Sequence, residues 1–333
     1  MSDALIAGAP SSAAASEGVP GRRGGRRRFA RSGPAGAARR TSWFGFVLAL
    51  PPVAFIALFA GLPIAVAFAF TLGYGGGLNE ITALIGQDVY LADAPPGTLE
   101  AYRVVFANGR FRDDLVVTLI VTVLSTLIVL AVALAIALFL RLRGGILANA
   151  LTVLTIVPMF IPVVISAYAI RTFYSDIGFL PTLFAQFGAT GPAWSYSVTG
   201  LVIGSVWTNL PFAVLMCSSG VAAVPDSVID AARDSGAGLA RATWSVILPM
   251  AKVPVIIAGT FTAIGIIGSF TIPYFMGRNS QNMLGVDIAS YFIAFNRPQQ
   301  AIVMAFVVFA VASLIAAAYV WANFRQAKEA DQV

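Results

Sequence analysis

Six long apolar segments alternate with polar or glycine-rich stretches along the chain, over residues 44 to 72, 115 to 140, 146 to 170, 198 to 221, 253 to 276 and 300 to 323. Each exceeds the ~20 residues a helix needs to cross ~30 Å of hydrocarbon. The pattern predicts an all-α membrane protein with six transmembrane helices. The 42 residues before the first segment are rich in Ala, Gly, Ser, Pro and Arg and are expected to be disordered. Residues 43–114 then hold the first span and a long external loop. In that loop Gly75, Gly76 and Gly77 give a flexible start, and Pro95-Pro96-Gly97 interrupts the chain before a short helix expected from Thr98 to Phe106. Residues 115–323 form the core domain, with a polar loop at about 222–250, and residues 324–333 form a C-terminal tail.

Composition excludes a soluble domain: 58% of the 333 residues are hydrophobic, 11% are charged, and the mean hydropathy is +0.84. The chain has no His and one Cys, Cys217, inside an apolar run, so no metal cluster, disulfide framework or Cys-His nucleophile can be assembled. Cys217 is expected to be a small packing residue. The only lysines are Lys252 and Lys328, whereas a phosphate-binding loop requires Gly-Lys-Ser/Thr, so the run Gly75-Gly76-Gly77 cannot hold a nucleotide. The chain is expected to bind no cofactor and to be no enzyme.

Charge sets the expected orientation. With both termini in the cytoplasm, 15 of the 21 Lys and Arg residues fall on the inner side, eight of them in the N-terminal tail. That tail is expected to touch anionic lipid; without interleaved aromatic residues it does not read as a nucleic-acid arm. Arg39-Arg40 precedes the first apolar run as in an export signal, but a run of about 29 residues exceeds the about 7 to 15 of a cleaved segment. It reads as a retained span.

No Asp, Glu, Lys or Arg lies within the six runs, which argues against an ion-coupled carrier with a carboxylate relay. Prolines mark the expected helix breaks: Pro51, Pro52 and Pro63 in the first run, Pro158 and Pro162 in the third, Pro211 in the fourth, Pro254 and Pro273 in the fifth. Irregular backbone at membrane depth survives only against protein or a water-filled route. Candidate pathway residues beside the breaks are Tyr168, Trp207, Asn209, Ser269, Phe270, Thr271 and Tyr274. Ser, Thr and Asn also commonly tie membrane helices together.

The polar loop is the most specific feature. Pro225, Asp226 and Ser227 offer a helix start with side chains able to cap free amides. Val228, Ile229, Ala232 and Gly236 follow helical spacing, beside Asp230 and Arg233. Gly236 and Gly238 permit a sharp turn, after which a second helix is expected from Leu239 into the membrane past Pro249. By periodicity alone, an interfacial helix lying on the membrane surface fits equally well. The residues themselves say more: Asp230-Ala231-Ala232, Gly236 followed by Ala237, then Val246, Leu248 and Pro249. This arrangement resembles the cytoplasmic loop by which permease subunits of ATP-binding-cassette (ABC) importers grip their ATPase, with Asp in place of Glu and Val in place of Ile.

The resemblance covers roughly residues 98 to 323. It implies the type I importer permease fold, in a bacterial inner membrane, with a second permease forming a heterodimer, two ATPase subunits that use ATP and Mg, and an external solute-binding protein. Trp207-Thr208-Asn209-Leu210-Pro211 and Gly268-Ser269-Phe270-Thr271-Ile272-Pro273-Tyr274-Phe275-Met276-Gly277 look like the spermidine and putrescine branch, and Ala231-Ala232-Arg233-Asp234-Ser235-Gly236-Ala237 resembles that branch more than the sugar branch. Relatives of that branch also carry iron, phosphonates, thiamine or opines. A polycation normally meets carboxylates; without them, Tyr168, Trp207, Phe270 and Tyr274 could attract it through cation-π contacts of about 0.5 to 2 kcal/mol each.

Overall fold

The computed structural model describes residues 35–74, 97–277 and 282–330. The chain divides into two compact units, residues 1–57 and 58–333. In the first, α1 covers Ala35–Ile56, so helix already begins inside the stretch expected to be disordered, whose residues 1–34 lie outside the described residues. Ala and Arg are good helix formers, and a helix once nucleated extends through them readily. Pro51 and Pro52 lie within α1, and a wider π turn follows at Ala57–Gly61.

The second unit opens with α2 (Leu62–Thr71), whose Pro63 sits in the first turn, where a missing N–H matters least. The glycine run and Pro95-Pro96 lie outside the described residues. The short helix expected before the second span is present as α3 (Glu100–Ala107). Next, α4 covers Gly109–Arg143, capped by Asn108, whose side chain accepts from the N–H groups of Arg110 and Phe111. The second span therefore starts at Gly109 and not at residue 115.

The third apolar run is not one straight crossing. It folds as α5 (Gly145–Ile156), a 3-10 turn at Val157–Phe160, and α6 (Val163–Phe173), with a 106° bend. Pro162 disfavours helical backbone in the residue before it, and Ile161 is extended at φ −95°, ψ 121°. After α7 (Phe179–Gln186), α8 (Val198–Ala222) stays helical through Pro211, so the break expected there is absent.

The polar loop comprises α9 (Asp226–Asp234), α10 (Leu239–Ala242), a π turn at Thr243–Ile247 and α11 (Leu248–Met250). A 69° bend at Ala251 separates it from α12 (Lys252–Ile267), which divides the single helix expected from Leu239 onward. Gly268, Ser269 and Phe270 then interrupt the chain before α13 (Thr271–Met276). The fifth run breaks at these places, while Pro254 and Pro273 lie inside helices. The chain ends with α14 (Leu284–Ala289), a π turn at Ser290–Ala294, and α15 (Pro298–Ala330), which continues through most of the expected C-terminal tail. Among the described residues four stretches are continuous candidate spans by length and composition, Gly45–Thr71, Gly109–Arg143, Val198–Ala222 and Pro298–Trp321, and the count reaches six if each bent pair is taken as one span.

Helix association in lipid depends on close contact, which small side chains allow. Val129, Ala133 and Ala137 of α4 are buried in one cluster with Ala213, Val214, Cys217 and Val221 of α8. Cys217 is fully buried there, as a packing residue should be. Where α8 meets α12, a Cβ on Gly220 would lie 2.6 Å from Cβ and 2.8 Å from Cγ of Pro254. A proline ring cannot swing aside. Gly220→Val is expected to cost about 1 to 3 kcal/mol through overpacking, seen as a lower unfolding temperature of the detergent-solubilised protein. An unchanged temperature would show that α8 and α12 are free to separate.

The absence of carboxylates from the interior, expected from the six runs, does not hold at the start of α4. Asp114 is 2% exposed and Asp287 of α14 is 0% exposed. Arg110 Nη2 donates to Asp287 Oδ1 at 2.9 Å, and its Nε lies 3.6 Å from Asp114 Oδ2. Asp114 Oδ1 accepts the N–H of Asn282 at 2.9 Å, and Thr118 Oγ1 accepts that of Leu284 at 2.9 Å. Asn108 Nδ2 donates to the Tyr291 hydroxyl at 2.8 Å. These bonds fasten segment 282–291 to the head of α4. Asp114 falls one residue outside the predicted run, and Asp287 lies between two runs, which is why neither registered in the sequence as buried.

Candidate functional site

The loop after α8 is built on three anchors. Val224, Ile229 and Ile247 are buried in the same cluster as Ala137, Val221 and Ala251, so α9 and the π turn rest on the ends of α4, α8 and α12. On α9 the polar side chains of Asp226, Asp230, Arg233 and Asp234 are exposed, while Ile229 points inward. This one-sided helix is what the spacing predicted, except that Val228 stays exposed. The expected side-chain cap is missing, because the cap position falls on Pro225, whose side chain has no acceptor; Asp226, in the first turn, pairs with Arg141 of α4.

The end of α9 explains the small residues of the motif. Gly236 has φ +85°, a conformation that glycine adopts at little cost. Its N–H donates to the Arg233 carbonyl at 2.9 Å, and the next N–H, of Ala237, reaches back to Ala232 at 3.0 Å. This is the paired bonding of a Schellman cap, which satisfies carbonyls that a helix end otherwise leaves free. Ala232 and Ala237 are therefore half-buried partners across the turn, and Gly236 is required by backbone conformation. Gly238, by contrast, is extended at φ −65°, ψ 164°, and needs no glycine.

Asp230 and Ala231 are exposed on the outer side of α9. Val246 and Leu248 are half-buried, and Pro249 is exposed in the first turn of α11. The fully buried residue of that stretch is Ile247, which the motif does not single out. Around the loop, Val228, Leu239, Trp244 and Met250 are exposed apolar side chains. Together the loop presents small, acidic and apolar groups on a helix fixed at both ends, a form suited to gripping another protein.

The candidate pathway residues do not converge on one site. A cavity of about 720 Å³ lies among α4, α6 and α8, lined by apolar side chains such as Ile128, Ile165, Ile170 and Val206. Trp207 lines it at 40% exposure and donates from Nε1 to Ser166 Oγ at 3.3 Å. Phe270 lines a second cavity of about 360 Å³, with Ile288, Phe292 and Ile302. Tyr274 is exposed and stacks near Phe270, with ring centroids 5.2 Å apart. Tyr168 is exposed on α6, which packs against α13, but lines neither cavity. Asn209 is turned back onto its own helix, donating to the Ser205 carbonyl at 2.8 Å. Ser269 and Thr271 are half-buried at the break before α13. The sequence did not single out Ser166, whose signal is only its place after the Pro162 break.

Comparison with known proteins places the chain. Over residues 128–328 it matches the family described as binding-protein-dependent transport system inner membrane component. It is 28% identical over 132 residues to a sulfoquinovosyl glycerol transport system permease protein of Agrobacterium fabrum, covering 38% of this chain and 42% of that protein. It is 28% identical over 143 residues to a spermidine/putrescine transport system permease protein of Escherichia coli, covering 42% of this chain and 52% of that one. The matched region thus spans about half the length of these curated relatives. A chain of the crystal structure of a bacterial ABC transporter involved in the import of alginate superposes with a TM-score of 0.67 at 15% identity, over 88% of this chain and 98% of that one. That likeness concerns the fold, which is the all-α type I importer permease fold. With its family matched over residues 128–328, the loop from α9 to α11 included, this chain belongs to the binding-protein-dependent transport system inner membrane components.

Proposed function

We propose that this chain is a permease subunit of an ABC importer in a bacterial inner membrane, with both termini and α9 in the cytoplasm. It works with a second permease, two ATPase subunits and an external binding protein, and moves a small polar solute. The observation that carries this reading is the Schellman-capped α9, held down by Ile229 while Asp230 and Ala231 face outward. ATP and Mg belong to the partner ATPase.

For the cargo we propose a polyamine-type solute. Support comes from the motif pieces around Trp207 and Phe270 and from the spermidine/putrescine relative. The exposed rings of Trp207, Phe270 and Tyr274 offer cation-π faces to a cation in passage. A sugar-derived cargo is the second reading, favoured by the relative that transports sulfoquinovosyl glycerol. Selectivity then resides mainly in the binding protein. Equilibrium titration of the cognate binding protein with spermidine, putrescine and sugars is expected to show tight binding of a polyamine. Binding of a sugar alone would replace the cargo and leave the importer reading in place.

A further inference from the structure

The last turn of α4 carries a side chain that reaches across to the loop. Arg141 Nη2 donates to the Val224 carbonyl at 2.9 Å and also to Asp226 Oδ1. Val224 lies in the linker between α8 and α9, and Asp226 opens α9. A cation at the C-terminal end of α4 and a carboxylate at the N-terminal end of α9 each complement a helix dipole. The Arg141 side chain is 23% exposed and that of Asp226 is 78% exposed, so the arginine lies across the joint and the aspartate covers it from outside. Beneath them Ala137, Val221, Val224 and Ile229 share one buried cluster.

We propose that Arg141 is the positioning residue of the coupling helix: its clasp on Val224 and Asp226 makes α9 and the adjoining ends of α4 and α8 move as one body. This rests on the reading of α9 as the ATPase dock. Without the clasp, α9 pivots about Pro225, and a stroke delivered by the ATPase is absorbed in the linker before it reaches the spans.

The test uses the complete importer in proteoliposomes, with its ATPase, second permease and binding protein, and reads ATP hydrolysed per solute moved. Arg141→Met is expected to raise that ratio about tenfold, as the loss of charge-assisted bonds implies, with the ATPase still copurifying. Arg141→Lys keeps the charge and should recover most of the loss. A merely structural role would lower the yield of complex and leave the ratio unchanged. Asp226→Asn keeps the bond to Val224 and should raise the ratio roughly twofold to threefold. A wild-type ratio in Arg141→Met overturns the proposal but leaves the dock intact. A wild-type complex whose ATPase runs without regard to solute and binding protein removes the docking reading itself. If Arg141→Met does not assemble, the exposed Asp226→Asn decides, and a wild-type ratio there overturns the clasp.

Discussion

Arg110→Met is expected to lower the stability of the purified permease by about 3 kcal/mol at neutral pH, the low end of what an orphaned buried ion costs. Two features keep it at that end. Arg110 is 40% exposed, so water screens part of its attraction, and Asp287 can shed its charge by binding a proton. Burial, and then the neighbouring Asp114, push the Asp287 carboxyl up to about 7, against the pull of Arg110. A folded-state value above the unfolded one means that the native protein holds the extra proton. This contribution to stability is complete below the unfolded value, near 4, and is lost as pH rises through about 7. The unfolding temperature of the wild type in detergent should therefore fall between pH 5 and pH 8, and Asp287→Asn should flatten that slope. Adding Asp287→Asn to Arg110→Met should restore most of the stability, because one buried acid has gone. A pH-independent wild type, or an Arg110→Met protein as stable as its parent, would refute the account of the buried ionic node.

Gly236→Val should cut solute uptake by on the order of tenfold, the effect of a strain near 1.4 kcal/mol at the dock if all of it is felt in coupling. A Cβ at this position meets nothing within 4 Å, so the penalty is conformational. At φ +85° a β-branched residue is strained, and relaxing it breaks the bonds of Gly236 and Ala237 to Arg233 and Ala232. The end of α9 then re-aims. Gly236→Asn, which tolerates left-handed backbone better, should retain more uptake than Val despite its similar bulk. Because residue 236 lies outside the spans, the protein should still accumulate in the membrane and be retained with its ATPase. Vesicle uptake at saturating ATP measures the effect. Equal losses in the Asn and Val variants would point to side-chain bulk at the interface instead of backbone conformation, and normal uptake in both would remove α9 from coupling.

What the sequence determined by itself was local in its physics. Whether a segment can cross a bilayer depends on its own length and polarity, and the six candidate segments were legible on that basis, as were the turn at Gly236 and the helix before it. The need for positive φ and the one-sided pattern around Ile229 arise within a dozen residues of chain. Proline marked a disturbed helix but could not say whether it would break. Pro162 sits where the chain turns by 106°, whereas Pro211 is carried inside an unbroken α8, and only the packing around each settles the outcome.

Tertiary structure alone decided the polar joints. Arg110 and Asp287 are 177 positions apart, and Arg141 and Asp226 are 85 apart. No periodicity links such residues, and in the sequence each reads as a solvated charge next to an apolar run. Folding brings Asp287 out of water beside Asp114, where its charge becomes costly, and sets Arg141 across the joint between α8 and α9. The division of Trp207 and Phe270 between two cavities is tertiary for the same reason: which face of a span lines a space depends on how neighbouring helices cross it, and that crossing is fixed by contacts between segments distant in sequence.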